Sequence, residues 1–215
     1  MARIGIFGGS FDPPHYGHLQ IGEQLIEKGY LDAVWYLPCY KSLHGKDITD
    51  GGIRVDMLTE LIYTSDFCYR EYNDMTKGLC VCNFEIVKKM TGKSFDVIEK
   101  MFAYYRERGY ADDSFHMIIG MDNAENIHKF AEWEKVIASA PFIVLNRKGY
   151  KSKQKWYGEE PHLLAFDIDI PNISSTMIRE TFRYRKELGI PKEFFEWCSD
   201  SVLAEIMGYG LYNYG

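Results

Sequence analysis

Short, continuous apolar runs alternate along this chain with longer stretches whose apolar residues fall three and four apart, and that alternation constrains the fold more than anything else. Arg3 to Phe7, Ala33 to Leu37, Phe115 to Ile119, Phe142 to Leu145 and Leu163 to Ile168 read as strands. His15 to Lys28, Ile53 to Tyr63 and Ser94 to Arg108 read as helices between them, with Phe95, Ile98, Phe102 and Tyr105 forming one stripe. Strands that are apolar at every position are buried on both faces, so the pattern predicts an α/β fold with a doubly wound, mainly parallel sheet. In such sheets a ligand sits beyond the carboxyl ends of the strands. The last part of the chain, from about residue 175 to 215, reads as a small helical region. Lys148 to Glu160 reads as a surface loop, and Tyr209 to Gly215 as a short terminal strand or packed coil.

The chain is long enough to supply its own stability. With 215 residues, 46% of them hydrophobic, a single domain spanning 1–215 should bury roughly 70% of its unfolded surface and need neither disulfides nor metals to fold. The 25 Lys and Arg against 31 Asp and Glu give a net charge of -6, with no basic run. That excludes a broad nucleic-acid-binding face and leaves any bound phosphate to be held locally. No apolar stretch approaches the roughly 20 residues of a membrane helix, so no membrane partner is expected. The opening Met1-Ala2-Arg3 enters a strand pattern at once, with no apolar leader, which points to the cytoplasm. Cys39, Cys68, Cys80, Cys82 and Cys198 are odd in number and lack paired CxxC spacing, and so read as free thiols.

Two strings carry chemistry. The first, Gly8-Gly9-Ser10-Phe11-Asp12-Pro13-Pro14-His15-Tyr16-Gly17-His18, follows the first strand and opens the first helix. Adjacent glycines let backbone amides approach a ligand, and the helix N-terminus adds unpaired N–H groups and partial positive charge, a combination suited to a polyphosphate. His15 and His18 share a face, with Gly17 leaving room between them. An imidazole there can donate to a phosphoryl oxygen whose charge rises as a bond to phosphorus breaks.

The second string, Ile173-Ser174-Ser175-Thr176-Met177-Ile178-Arg179, again follows a strand and places Ser and Thr as helix N-caps with Arg one turn on. It reads either as a simple cap or as a second phosphate site, in which Arg179 offers a planar, permanently charged fork.

Together the two strings resemble the HxGH-class nucleotidyltransferases, most closely the nicotinate or nicotinamide mononucleotide adenylyltransferases, and the resemblance spans nearly the whole chain. Arg54-Val55-Asp56-Met57-Leu58 looks like that family's R-x-x-M-L helix, and Ile119-Gly120-Met121-Asp122 like its I-G-A-D. The resemblance implies a Rossmann-like fold and a direct, in-line reaction of ATP with a pyridine mononucleotide, giving the dinucleotide and pyrophosphate in NAD biosynthesis.

Carried over residue by residue, it implies that His18 and His15 contact the ATP phosphates, with His18 the stronger candidate at the reacting α-phosphoryl group. Ser175, Thr176 and Arg179 would hold pyrophosphate, Asp122 a ribose, and the backbone of Gly8, Gly9, Ser10 and Phe11 the nucleotide. Lys41, His44 and Lys46 occupy a phosphate-binding loop, with either lysine able to supply the charge. Ser94 keeps the hydroxyl of a Y-T-x-D pattern that here reads Lys93-Ser94-Phe95-Asp96. Phe130 stands where the mononucleotide pocket has its first aromatic, and Trp133 fits the second or, equally, plain core. Mg²⁺ is implied on the phosphates, held mainly by substrate oxygens, with no protein metal site. The style of the first motif and of the G-x-D helix points to nicotinate mononucleotide. Nicotinamide mononucleotide is the alternative, and a non-catalytic pyridine-nucleotide sensor a more remote one.

Overall fold

The first strand, β1 (Arg3–Gly9), gives the fold its centre: it pairs in parallel with β2 (Ala33–Pro38) on one side and β4 (Ser114–Gly120) on the other. The structure, a computed structural model, describes residues 1–42, 45, 47–68, 74–91, 94–146 and 156–213. Between β1 and β2 lies α1 (Tyr16–Glu27); α2 (Gly51–Ile62) follows β2 and leads to β3 (Gly78–Val81). Two helices, α3 (Phe84–Lys88) and α4 (Ser94–Tyr105), precede β4, and α5 (Met121–Glu125) and α6 (Trp133–Ser139) follow it. The chain then forms β5 (Phe142–Leu145), β6 (Leu163–Ala165), α7 (Ser175–Leu188) and α8 (Asp200–Gly208). The sheet order is β3-β2-β1-β4-β5-β6 with every pairing parallel. The expected doubly wound, Rossmann-like sheet is therefore present, with its switch in strand order between β1 and β4.

β2 is buried at every position, and its alternation divides the core in two. Val34 and Tyr36 face a cluster with α1, α2, α7 and α8; Ala33, Trp35 and Leu37 face one with α4, α5 and α6. The helical C-terminal part thus shares the core of α1 and α2.

Several boundaries differ from those the sequence pattern predicts. The helix read as Ser94 to Arg108 ends its α-helical course at Tyr105, because Gly109 (φ 101°) opens a wider turn over Arg106–Tyr110. The run read as Leu163 to Ile168 pairs only as far as Ala165, after which Phe166 is exposed. β3 escapes the sequence pattern because four residues pairing with one neighbour carry too short a signal. Within the expected loop Lys148 to Glu160, residues 147–155 lie outside the described residues. Trp156–Gly158 form a 3₁₀ turn that buries Tyr157 and directs its hydroxyl to Glu125 (2.5 Å). From Tyr209 to Asn213 the tail is packed turn and coil rather than strand, with Tyr212 buried in the core; the rest of the expected segment, Tyr214 and Gly215, lies outside the described residues. All five cysteines are free thiols. Among the described residues, no helix is long and apolar enough to cross a membrane.

Candidate active site

At the carboxyl end of β1 the Gly8–Pro14 loop leads into α1 with His15 as N-cap and His18 at the third helical position. A Cβ placed on Gly8 would meet nothing within 4 Å, so the backbone there is open to a ligand. Phe11 behaves differently. It adopts a left-handed backbone (φ 49°) and is buried, with its ring centroid 4.9 Å from that of His18, so it forms the wall behind the imidazole.

The two imidazoles stack at 3.7 Å between centroids, and His18 Nδ1 accepts a 3.2 Å hydrogen bond from the backbone N–H of His15. That bond fixes the tautomer: a neutral His18 must carry its proton on Nε2, the atom left to act as donor. Burial drives the His15 pKa down to about 4, and burial together with neighbouring His15 holds that of His18 well below the usual imidazole value. Both rings are therefore neutral donors at neutral pH. His15 Nδ1 is buried without a hydrogen bond of good geometry, set as the N-cap over the His18 N–H, which bonds the His15 carbonyl instead (2.9 Å). A Cβ on Gly17 would lie 3.0 Å from the His15 ring, so an alanine there would fit only if the ring moved aside by a few tenths of an ångström.

The second junction begins with Ser174, whose hydroxyl caps α7 by accepting from the Met177 N–H (3.2 Å). It reaches the first junction directly. Ser175 Oγ donates to the Pro13 carbonyl (2.8 Å), and Arg179 Nη1 to the Asp12 carbonyl (2.6 Å), across more than 160 residues of sequence. Arg179 Nη2 also bonds Thr176 Oγ1 (3.1 Å), which aims the guanidinium along the helix start. One cleft of about 480 Å³ results, lined by Ser10, His15, His18, Ser175, Thr176 and Arg179, with Ser42 and Asp47 also contributing.

Other expected site residues lie elsewhere. Asp122 is exposed in the first turn of α5, just past the end of β4, on the same carboxyl edge of the sheet but outside this cleft. Ser94 opens α4 and Trp133 opens α6; Phe130 precedes α6. All three are half-buried, none lines the cleft, and Phe130 and Trp133 belong to neither core cluster. Lys41 is exposed, with its ammonium 5.8 Å from the Tyr40 ring centroid. His44 and Lys46 lie outside the described residues. Among the described residues, no group of three or more His, Cys, Asp or Glu could hold a metal ion.

Two residues gain importance from the structure. Arg54, fully buried, donates to the carbonyls of Ser10, Cys39 and Thr49 at 2.7 Å each and so ties the loops after β1 and β2 to the start of α2. Its place in the R-x-x-M-L string is the available signal. Asp12, also buried, accepts from Tyr212 Oη (2.7 Å) and the Thr49 N–H (3.3 Å). It sits inside the first string, but nothing local reveals its partners.

Comparison with known proteins gives a consistent pattern. The cytidylyltransferase-like family profile matches residues 6–181. The nicotinate-nucleotide adenylyltransferase of Bacillus subtilis is 31% identical over 99% of this chain and 100% of its own length. The probable nicotinate-nucleotide adenylyltransferase of Oceanobacillus iheyensis is 29% identical over 100% of this chain and 99% of its own. Among solved structures, the Plasmodium falciparum nicotinic acid mononucleotide adenylyltransferase complexed with NaAD superimposes with a TM-score of 0.77 at 19% identity, covering 100% of this chain and 99% of that one.

Proposed function

The chain belongs to the cytidylyltransferase-like family and, within it, to the nicotinate-nucleotide adenylyltransferases, and from that premise we infer that it joins ATP and nicotinate mononucleotide to give deamido-NAD and pyrophosphate. The observation that carries this reading is the meeting of the two junctions across one cleft, through Ser175 to Pro13 and Arg179 to Asp12.

In the reaction an oxygen of the mononucleotide phosphate attacks the α-phosphorus of ATP in line. The new O–P bond forms as the bond to the bridging oxygen breaks, and the electron pair leaves with pyrophosphate. We assign the His18 Nε2–H to the α-phosphoryl oxygen that gains charge, with neutral His15 beside it. Arg179, which has N–H groups beyond the two already bonded, and the unpaired amides at the start of α7 would receive pyrophosphate. Ser175 takes part through its amide, because its hydroxyl already holds Pro13. Thr176, Ser10 and the open backbone at Gly8 complete the nucleotide side, with Phe11 supporting His18 from behind. Asp122 is assigned to the ribose, and Ser94, Phe130 and Trp133 to the mononucleotide, together with Lys41, His44 and Lys46.

Nucleotidyltransferases generally use a divalent metal, and here we assign Mg²⁺. The hard, all-oxygen donor set that Mg²⁺ prefers fits phosphate oxygens and water, which would hold the ion. When bound, it would neutralise phosphate charge. We read residues 1–215 as one nucleotidyltransferase domain, because α8 and Tyr212 share a core cluster with α1 and α2. A cytoplasmic location is supported by five free thiols, which suit a reducing compartment.

The test is a side-by-side kcat/KM for nicotinate and nicotinamide mononucleotides, read as pyrophosphate release from ATP, with His18→Ala in parallel. Nicotinate mononucleotide should be preferred, and His18→Ala should lose about 100-fold or more in kcat. Dinucleotide binding without pyrophosphate release would instead identify a sensor.

A further inference from the structure

The tail beyond α8 has no part in the chemistry above, yet it reaches the motif loop. After Gly210 (φ 62°) the chain turns back, and Tyr212 itself takes a left-handed backbone (φ 59°), which is disfavoured for an aromatic residue. The turn buries its ring to 7% exposure and brings its hydroxyl 2.7 Å from Asp12 Oδ1. The hydroxyl of Thr49 donates in turn to Tyr212 Oη at 3.4 Å, and the Thr49 N–H reaches the other carboxylate oxygen of Asp12 at 3.3 Å. The same C-terminal region makes a second attachment: the Trp197 carbonyl accepts from the N–H of Tyr16 at 2.9 Å, satisfying one of the unpaired donors in the first turn of α1. His15 lies between these two anchors, and the Asp12 carbonyl also receives Arg179.

We propose that Tyr212 is a positioning residue for adenylyl transfer: by holding the buried Asp12 carboxylate it fixes the loop that carries His15 and His18 and the carbonyl that orients Arg179. The proposal rests on the assignment of those three residues to the phosphates. A hydrogen bond from a neutral hydroxyl to a buried carboxylate is strong and short, and its loss leaves Oδ1 of a carboxylate that is only 4% exposed without that donor. The backbone between residues 12 and 18 then relaxes. Displacements near 1 Å at reacting groups cost up to about 100-fold in rate. The effect should appear in kcat, because the His18 contact strengthens only as charge develops on phosphorus.

The test compares Tyr212→Phe with Val202→Ala, both measured where circular dichroism shows each protein folded. Val202 is fully buried in α8 and makes no side-chain hydrogen bond to the motif loop, so it controls for a general loss of stability. Tyr212→Phe should lower kcat about tenfold with KM for nicotinate mononucleotide within about twofold, while Val202→Ala lowers the melting temperature and leaves kcat within about twofold. Equal kcat in Tyr212→Phe and wild type, or an equal loss in Val202→Ala, overturns the proposal. If Tyr212→Phe does not fold, Thr49→Val, which removes only the hydroxyl donating to Tyr212, should lower kcat about threefold, and an unchanged kcat there overturns it. A wild type inactive with ATP and nicotinate mononucleotide overturns the reaction itself and this role with it; where the wild type is active, the variants alone decide the role of Tyr212.

Discussion

The charge state of a few buried groups sets the pH behaviour of the site. His15 has a folded pKa near 4 against an ordinary value of 6.5, so the unfolded chain binds a proton between these values that the folded chain refuses. Its contribution to stability is present above pH 6.5 and is lost as pH falls towards 4, on the order of 3 kcal/mol. Glu85 acts in the opposite direction. Burial lifts its pKa from 4.5 to about 7 despite a hydrogen bond from the Tyr40 N–H, so its contribution is present below pH 4.5 and is lost as pH rises through 7. The two partly cancel in the wild type. His15→Asn should therefore raise the melting temperature at pH 4.5 relative to that at pH 7, compared with the wild type, and an unchanged difference would contradict a buried neutral His15. The imidazole pair is legible in the sequence from its spacing. Its neutrality is not, since it follows from a stacked neighbour and from Phe7 and Phe11 packed beside His18.

At the scale of elements, the starts of α1 and α7 lie against each other, and a small residue at the junction makes this possible. A Cβ on Gly17 would press on the His15 ring at 3.0 Å and on Ile173 at 3.7 Å, so the glycine sets how closely the two helix starts approach. Its φ is not left-handed, and alanine is the better helix former by up to about 1 kcal/mol. Gly17→Ala should therefore keep or raise thermal stability while lowering kcat about tenfold or more, a split readable from melting curves and steady-state rates on one preparation. Retained activity would mean that the His15 ring moves aside without consequence. Both helix starts can be read from the sequence, because caps and glycines are local signals. The bonds from Ser175 to Pro13 and from Arg179 to Asp12 cannot, because nothing in either string names its partner.

For the whole molecule, the sheet order brings residues from both strings, 8–18 and 174–179, to one cleft, and on the proposed reading a triphosphate there contacts both. Adding MgATP should slow amide hydrogen exchange at the starts of α1 and α7 together, while the α4 and α6 side of the sheet changes less. Protection confined to one helix start would show that the triphosphate is held from one side only. Arg54 extends this unity, since its three carbonyl partners lie in two loops, Ser10 after β1 and Cys39 and Thr49 between β2 and α2.

Local and periodic patterns determined the alternation of strands and helices, the parallel two-sided sheet and the two turn-to-helix strings to which phosphate binding is assigned, because burial on two faces and helix capping are written in neighbouring residues. The tertiary structure decided which elements face each other and which buried groups lose water. Hydrogen bonds such as Tyr212 to Asp12 join residues 200 apart, and the pKa of an imidazole depends on what surrounds it. A single chain read in order specifies neither until it is folded.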